Sequence, residues 1–203
     1  MKKILIGTHN KGKFKEIAYL ISKKYKKISP HSLKIHSPKE TSKTFEGNSK
    51  LKVNFFSKFV NYPVISDDSG LCIKSLNNKP GIYSARLAKK YGSFSKAMRF
   101  ILKKMENASD RSATFVCSLS LKYPNKKPIN VTGKITGTIA KKILGKNGFG
   151  YDPIFIPKNY KKTFGQFSKR KKINIDHRFL SFKKLKKKKL KLYKFILFCF
   201  VYI

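Results

Sequence analysis

The hydrophobic positions of this 203-residue chain change their period along its length, and those changes mark its elements. Residues 2–7 form a short apolar strand, which the polar triplet Thr8-His9-Asn10 ends. Phe14, Ile17, Ala18 and Ile21 then recur at helical spacing, so "GKFKEIAYLISKK" is an amphipathic helix after a strand–loop junction. "KISPHSLKIHSP" reads as strand and loop. "TFEGNSKLKVNFFSKFVN" predicts a second helix with Leu51, Phe55, Phe59 and Val60 inward. A strand over 63–66 leads into Asp67 and Asp68, and Ser-Gly behind them reads as a sharp turn. "GLCIKSL" continues extended, and "NNKPGIYSAR" is rich in turn residues. A helix over 94–105 places Ala97, Phe100, Ile101 and Met105 on one face. "SATFVCSLSLKY" and "PINVTGKITGTIA" alternate and predict an antiparallel hairpin. "GKNGFGYDPIFIP" is a glycine-rich loop entering a short strand, and "KRKKINIDHRFLSFKKL" opens a final helix. The mixture is of α/β class, with no internal repeat and no linker.

Charge adds a second question. The chain carries 48 basic and nine acidic residues, a net charge of +39. Nucleic-acid binding is one reading of such a surface. Base composition is the other: lysine outnumbers arginine 43 to 5, Ile, Asn, Phe and Tyr are plentiful, and the lysines are spread along the chain. The sequence carries no helix-turn-helix, zinc-finger or RNA-recognition signature, so no specific nucleic-acid partner is expected. Cys72, Cys117 and Cys199 are odd in number and lack metal-ligand spacing, as expected of core thiols in a reducing compartment. The apolar run after Met1 is too short for a signal peptide, and a cytoplasmic location is expected. The closing "FILFCFVYI" is apolar, but nine residues do not span a bilayer as a helix, so membrane association is not expected.

Candidate chemistry gathers where carboxylates are scarce. Adjacent Asp67 and Asp68 repel by roughly 3–4 kcal/mol at an effective dielectric near 20, unless a cation sits nearby. A lysine or a divalent metal would serve, and a metal is favoured here because strand ends of open α/β sheets carry their chemistry. "THNKGK", Thr8 to Lys13, offers a hydroxyl, an amide, a glycine and two lysines at a helix start, which suits a phosphate. It is not a P-loop. "FGYDP" sets Phe149 between two glycines, where its ring is able to stack on a flat base. "IDHR" sets His177 beside Arg178 at the opening of a helix.

Together these segments resemble one family, the inosine triphosphate or non-canonical purine nucleoside triphosphate pyrophosphatases (Ham1/RdgB-like proteins). "THNKGK" matches T-x-N-x-x-K, "SDDSGL" matches A-D-D-S-G-L, and "PGIYSAR" matches P-G-x-Y-S-A-R. "FGYDPIF" matches F-G-Y-D-P-x-F, and "KINIDHR" matches K-x-x-x-S-H-R. The five motifs cover roughly residues 1–185, leaving 186–203 as an atypical lysine-rich and apolar tail. The resemblance implies hydrolysis of ITP, dITP and XTP to monophosphate and pyrophosphate, Mg²⁺ as cofactor, and a homodimer. It implies an elongated two-lobed fold around a long twisted mixed β-sheet with flanking helices, the site lying between lobes. By motif, Thr8, His9, Asn10, Lys11, Gly12 and Lys13 would hold the triphosphate, Asp68 would be general base and metal contact, and Ser69 would touch substrate. Phe149, Gly150, Tyr151, Asp152, Lys172, His177 and Arg178 would bind the nucleotide.

Two positions depart from the pattern. The family's T-F-x-E-N-A has a metal-binding glutamate where this chain has Gly47, with Glu46 one position earlier. One residue is about 100° of helix rotation, so Glu46 serves as a metal ligand here only with backbone adjustment. Asp176 replaces the serine before His-Arg. Gly47 motivates a second reading, a nucleotide-binding relative with weakened catalysis, and the +39 charge a third, a nucleic-acid-binding module.

Overall fold

The two alternating segments pair as expected: β5 (Ser112–Lys122) and β6 (Ile129–Ile139) run antiparallel from Ser112↔Thr138 to Leu121↔Ile129. The computed structural model describes residues 1–199, with side chains through residue 188. The other strands are β1 (Lys2–Ile6), β2 (Tyr25–Ile28), β3 (Val64–Ile73), β4 (Lys79–Pro80) and β7 (Phe155–Pro157). They join one open sheet in the order β2-β1-β3-β5-β6-β7, with β4 on β3. β1 pairs in parallel with β2 and β3, and the remaining pairs are antiparallel, so the sheet is mixed. The helices are α1 (Lys11–Leu20), α2 (Phe45–Phe56), α3 (Ser84–Lys90), α4 (Phe94–Lys104), α5 (Lys169–Ile173) and α6 (His177–Cys199).

Apolar packing divides into two lobes. One cluster joins Leu71, Ile73, Ala97, Ile101, Met105, Phe115, Phe155 and Phe164. At the other end of the long strands, one cluster on each face of the sheet gathers the rest: Ile17, Ile65, Leu119 and Leu185 on one, and Val53, Phe56 and Val64 on the other. β3 threads both lobes, with Val64 and Ile65 in one and Leu71 and Ile73 in the other. Its polar middle, Ser66 to Ser69, therefore falls between them. Consecutive residues of a strand face opposite sides, so Val64, Ser66 and Asp68 turn toward α2 while Ile65 and Asp67 turn toward α1 and α6.

Three expectations need correction. β3 does not stop at Ser66 and turn at Ser-Gly; it continues to Ile73, paired with β5 from Val64↔Lys122 to Ile73↔Ala113. The inward face of α2 is Asn48, Ser49, Lys52, Val53 and Phe56, whereas Leu51 and Phe55 are only half-buried and Phe59 is exposed beyond the helix end. The helix covers a polar stretch of sheet, where Ser49 bonds Ser118 and Ser120, so hydrophobic periodicity misread its inward face. The final helix is two, α5 and α6, separated by Asn174, Ile175 and Asp176. α6 runs through residue 185, and Lys184 and Lys188 donate to the carbonyls of Thr132 and Asn130. The side chains of the apolar end, 195–203, lie outside the described residues. Among the described residues no helix is long and apolar enough to cross a membrane.

Candidate active site

Asp67 and Asp68 are buried at the middle of β3, and each has its own cations on its own face. Asp67 lies 3.4 Å from the Lys13 ammonium and 3.4 Å from Nε of Arg178. Asp68 lies 3.5 Å from the Lys52 ammonium and accepts from the Asn48 amide at 3.1 Å. The adjacent charges are thus separated by the pleat, and protein cations lie beside each of them. Burial pushes both carboxyls upward. At Asp67, Lys13 and Arg178 outweigh it and carry the group down to about 2. At Asp68 burial wins over Lys52 and Lys13, and the group stays above the usual carboxylate range.

On the Asp67 face the site is a buried ion network. Arg178 reaches Glu16 at 2.7 Å and donates to the Ser69 hydroxyl at 2.7 Å. Lys172 lies 2.6 Å from Glu16 and 2.6 Å from Asp152. Burial alone would lower Lys172, but Asp152 and Glu16 hold it charged. Asp152 also accepts from the backbone N–H of Phe149 at 2.8 Å, so it shapes the glycine-rich loop. Phe149 lies over the Lys172 ammonium at 4.9 Å and the Arg178 guanidinium at 5.2 Å. Its ring packs on the start of α1 at Gly12, where a Cβ would approach it to 2.6 Å. Tyr151 is a tie, its hydroxyl donating to the Ser84 carbonyl at 2.9 Å.

His177 stacks on Phe115 with ring centroids 4.8 Å apart and planes 8° apart. Burial, with Arg178 and Lys172 adding to it, drives its pKa well below the usual value, so the imidazole is neutral. Among the described residues its Nδ1, Oδ1 of Asp67 and Oδ2 of Asp176 have no hydrogen-bond partner, and Oδ2 of Asp67 and Nε of Arg178 meet only in their 3.4 Å ion pair. Unsatisfied buried polar atoms are costly and rare. Their concentration falls beside the Asp67–Arg178 ion pair. A narrow cleft lined by Asn10, Lys13, Ser69, Phe149, Gly150, Tyr151, Asp152, His177 and Arg178 opens onto it.

On the Asp68 face, Glu40 completes the cluster. Its Oε1 lies 2.7 Å from the Lys52 ammonium, and Arg86 reaches its backbone carbonyl at 3.0 Å. Burial alone would lower Lys52, but Asp68, Asp67 and Glu40 keep it charged.

The turn after β1 behaves as an N-cap. Asn10 accepts from the Lys13 backbone N–H at 3.0 Å, and Thr8 accepts from that of Asn10 at 3.2 Å. Lys11 is exposed. His9 is turned away, its ring held by Ile35 and Ser37. Glu46 is not brought to the cluster: its side chain is 53% exposed and pairs with Lys50 one helical turn on. Motif reading did not single out Glu16, Glu40, Asn48 or Lys52. The available signal was scarcity, since few of the nine carboxylates are spent on the surface.

Residues 4–188 match the model of the Ham1 family. The chain belongs to that family. It is 37% identical over 186 residues to a dITP/XTP pyrophosphatase of Caulobacter vibrioides, covering 91% of this chain and 96% of the relative. A dITP/XTP pyrophosphatase of Oceanobacillus iheyensis is 43% identical, covering 88% and 93%. Among solved structures, the Staphylococcus aureus Ham1 protein superposes with a TM-score of 0.80 at 38% identity, covering 91% of this chain and 96% of that one. A HAM1 protein from Coxiella burnetii gives 0.83 at 32% identity, covering 94% and 100%. Residues from all five motif segments, Asn10 and Lys13, Ser69, Ser84, Phe149 to Asp152, and His177 and Arg178, line the same cleft.

Proposed function

We propose that this chain hydrolyses triphosphates of deaminated purine nucleosides, ITP, dITP and XTP, to the monophosphate and pyrophosphate, keeping them out of DNA and RNA. The observation that carries the reading is the placement of Asp68: a buried carboxyl with raised proton affinity, beside Lys52 and Glu40, across the strand from Lys13 at the start of α1. The family's curated dITP/XTP pyrophosphatases support it.

The chain's own groups divide the work. The start of α1 with Thr8, Asn10 and Gly12 directs N–H groups and the positive helix end toward phosphate, and Lys13 adds a charge. Asp68 takes a proton from water as its oxygen bonds to the α-phosphorus, and the bond to the bridging oxygen breaks with the electron pair leaving on pyrophosphate. Lys52 faces the developing charge. Phe149 is placed to cover the base, and His177, Arg178 and Ser69 present polar groups to its edge. A donor meeting the 6-oxo group of hypoxanthine would meet another donor on adenine, which is a strong basis for rejection.

Magnesium fits the donor set in one way. Among the described residues no three acidic, His or Cys side chains converge as a cage. Mg²⁺ is commonly held by one or two carboxylates together with substrate phosphates, and Asp68 and Glu40 supply those hard oxygens. When bound, the ion would neutralise phosphate oxygens. Asp67, compensated by Lys13 and Arg178, is left out of this set, and so is the exposed Glu46. The curated dITP/XTP pyrophosphatase relatives do not favour the catalytically weakened reading that Gly47 motivates. A cytoplasmic homodimer without a specific nucleic-acid partner completes the proposal, and light scattering in solution checks the dimer.

Pyrophosphate release from ITP, ATP and GTP, with and without Mg²⁺, tests the reading. Mg²⁺-dependent release from ITP well above ATP is expected. Equal rates on all three would overturn the specificity, and no release from ITP, dITP or XTP would overturn the activity.

A further inference from the structure

His9 stands in the turn assigned to the triphosphate, yet its ring has no polar atom left for a phosphate. Nε2 lies 2.9 Å from the Ile35 carbonyl oxygen, and Nδ1 lies 2.6 Å from the Ser37 hydroxyl. A carbonyl only accepts, so Nε2 donates to Ile35, and Nδ1 is occupied by the Ser37 hydroxyl. The ring also rests near Phe56, 6.2 Å between centroids, and Phe56 in turn abuts Gly7, where a Cβ would meet it at 2.5 Å.

Both partners of His9 belong to the segment between β2 and α2. Ile35 is buried there, anchoring the segment in the core shared by Val53 and Phe56. A few residues on, Glu40 contacts Lys52 and Arg86. Beyond it the Ser42 N–H donates to Asn48, whose amide donates to Asp68. One strap thus runs from the phosphate-facing turn to the base, held by His9 at one end and Asn48 at the other.

We propose that His9 is a positioning residue that latches residues 35–40 to the turn and so sets Glu40 and Lys52 against Asp68, without touching phosphate itself. Its kinetic consequence rests on the pyrophosphatase reading, whereas the latch rests on geometry alone. The position of Ser37 separates the two roles. It lies outside the turn and is exposed, so Ser37→Ala keeps the fold while removing one of the two latch bonds.

The experiment compares wild type, His9→Ala, Ser37→Ala and the double variant by amide hydrogen exchange without nucleotide, by ITP turnover, and by binding of inorganic pyrophosphate. Both single variants are expected to speed exchange in residues 35–41. Both should lower kcat by about three- to tenfold through misplacement, with the double variant no slower than His9→Ala. Pyrophosphate binding should stay within about twofold of wild type, because no phosphate contact is removed. A Ser37→Ala protein with wild-type exchange and rate would overturn the latch. So would a loss of pyrophosphate binding in His9→Ala alone, which would make His9 a phosphate ligand. Wild-type protein inactive on ITP would overturn the pyrophosphatase reading instead, and the exchange arm would still decide the latch.

Discussion

Asp67 and Asp68 share a peptide bond but face different cations: Asp67 is 3.4 Å from both Lys13 and Arg178, and Asp68 is 3.5 Å from Lys52 across the sheet. Two identical side chains are thereby given opposite proton affinities, Asp67 held down to about 2 and Asp68 raised. Environments that push neighbouring carboxyls apart are how acid and base roles are assigned. Asp68→Asn is expected to keep the fold and reduce ITP turnover at least about a hundredfold. Asp67→Asn should instead cost about 3–5 kcal/mol of stability, because Arg178 would be left buried with one partner fewer. Urea unfolding and turnover of both variants decide it; equal stability losses would mean that the two faces are not distinct.

Lys52 is expected to matter for rate as well as for fold, since its loss leaves Asp68 buried beside Glu40 without that cation. Its ammonium is the cation shared by Glu40 and Asp68. Lys52→Met preserves the stem and removes the charge. Turnover should fall by roughly a hundredfold, the scale seen when one charge-stabilising group is lost from a site. Retained turnover would remove Lys52 from the mechanism.

Gly47 is coupled to Ser42. Replacing a helical glycine ordinarily stabilises by about 1 kcal/mol. Here a Cβ at position 47 would lie 1.9 Å from the Ser42 hydroxyl oxygen and 2.7 Å from its Cβ. Gly47→Ala or Gly47→Glu should therefore lower the melting temperature, and adding Ser42→Gly should recover it. The sequence alone predicts the opposite sign for the single change. A stabilised single variant would show that Ser42 moves aside without cost.

Asp176 makes stability depend on pH. It is fully buried at the start of α6, accepts from the Phe179 N–H, and is pushed up to about 7 by burial and by Glu16. The native state keeps its proton where the unfolded chain has lost it. Its contribution is full below the unfolded value near 4 and is lost as pH rises through about 7. Asp176→Asn should therefore unfold at a higher temperature than wild type at pH 8, with the gap closing toward pH 5. A gap independent of pH would show that Asp176 is ionised in the native state.

The parts legible in sequence were those with a local cause. Period-two alternation marked the β5–β6 hairpin, and helical spacing marked α1 and α4, because their burial is set by one repeating face. The five motif segments were also legible, since glycines, an N-cap and paired acids declare themselves over a few residues. Lys52 was not: a lysine on a helix reads as solvated, and only the polar sheet face beneath α2 makes that position interior. Glu16 was hidden for the same reason, its partners Lys172 and Arg178 lying at the far end of the chain.

By itself the sequence determined most of the strands and helices and, through its motif segments, many of the residues that line the cleft, because local pattern selects elements and turns. Only the tertiary structure decided which face of β3 each aspartate took and what compensated it. That outcome depends on continuing β3 through the aspartates, on the rotation of α2, and on α6 returning across the sheet. Those are settled by packing between distant segments, where burial makes an uncompensated charge too costly to leave unpaired.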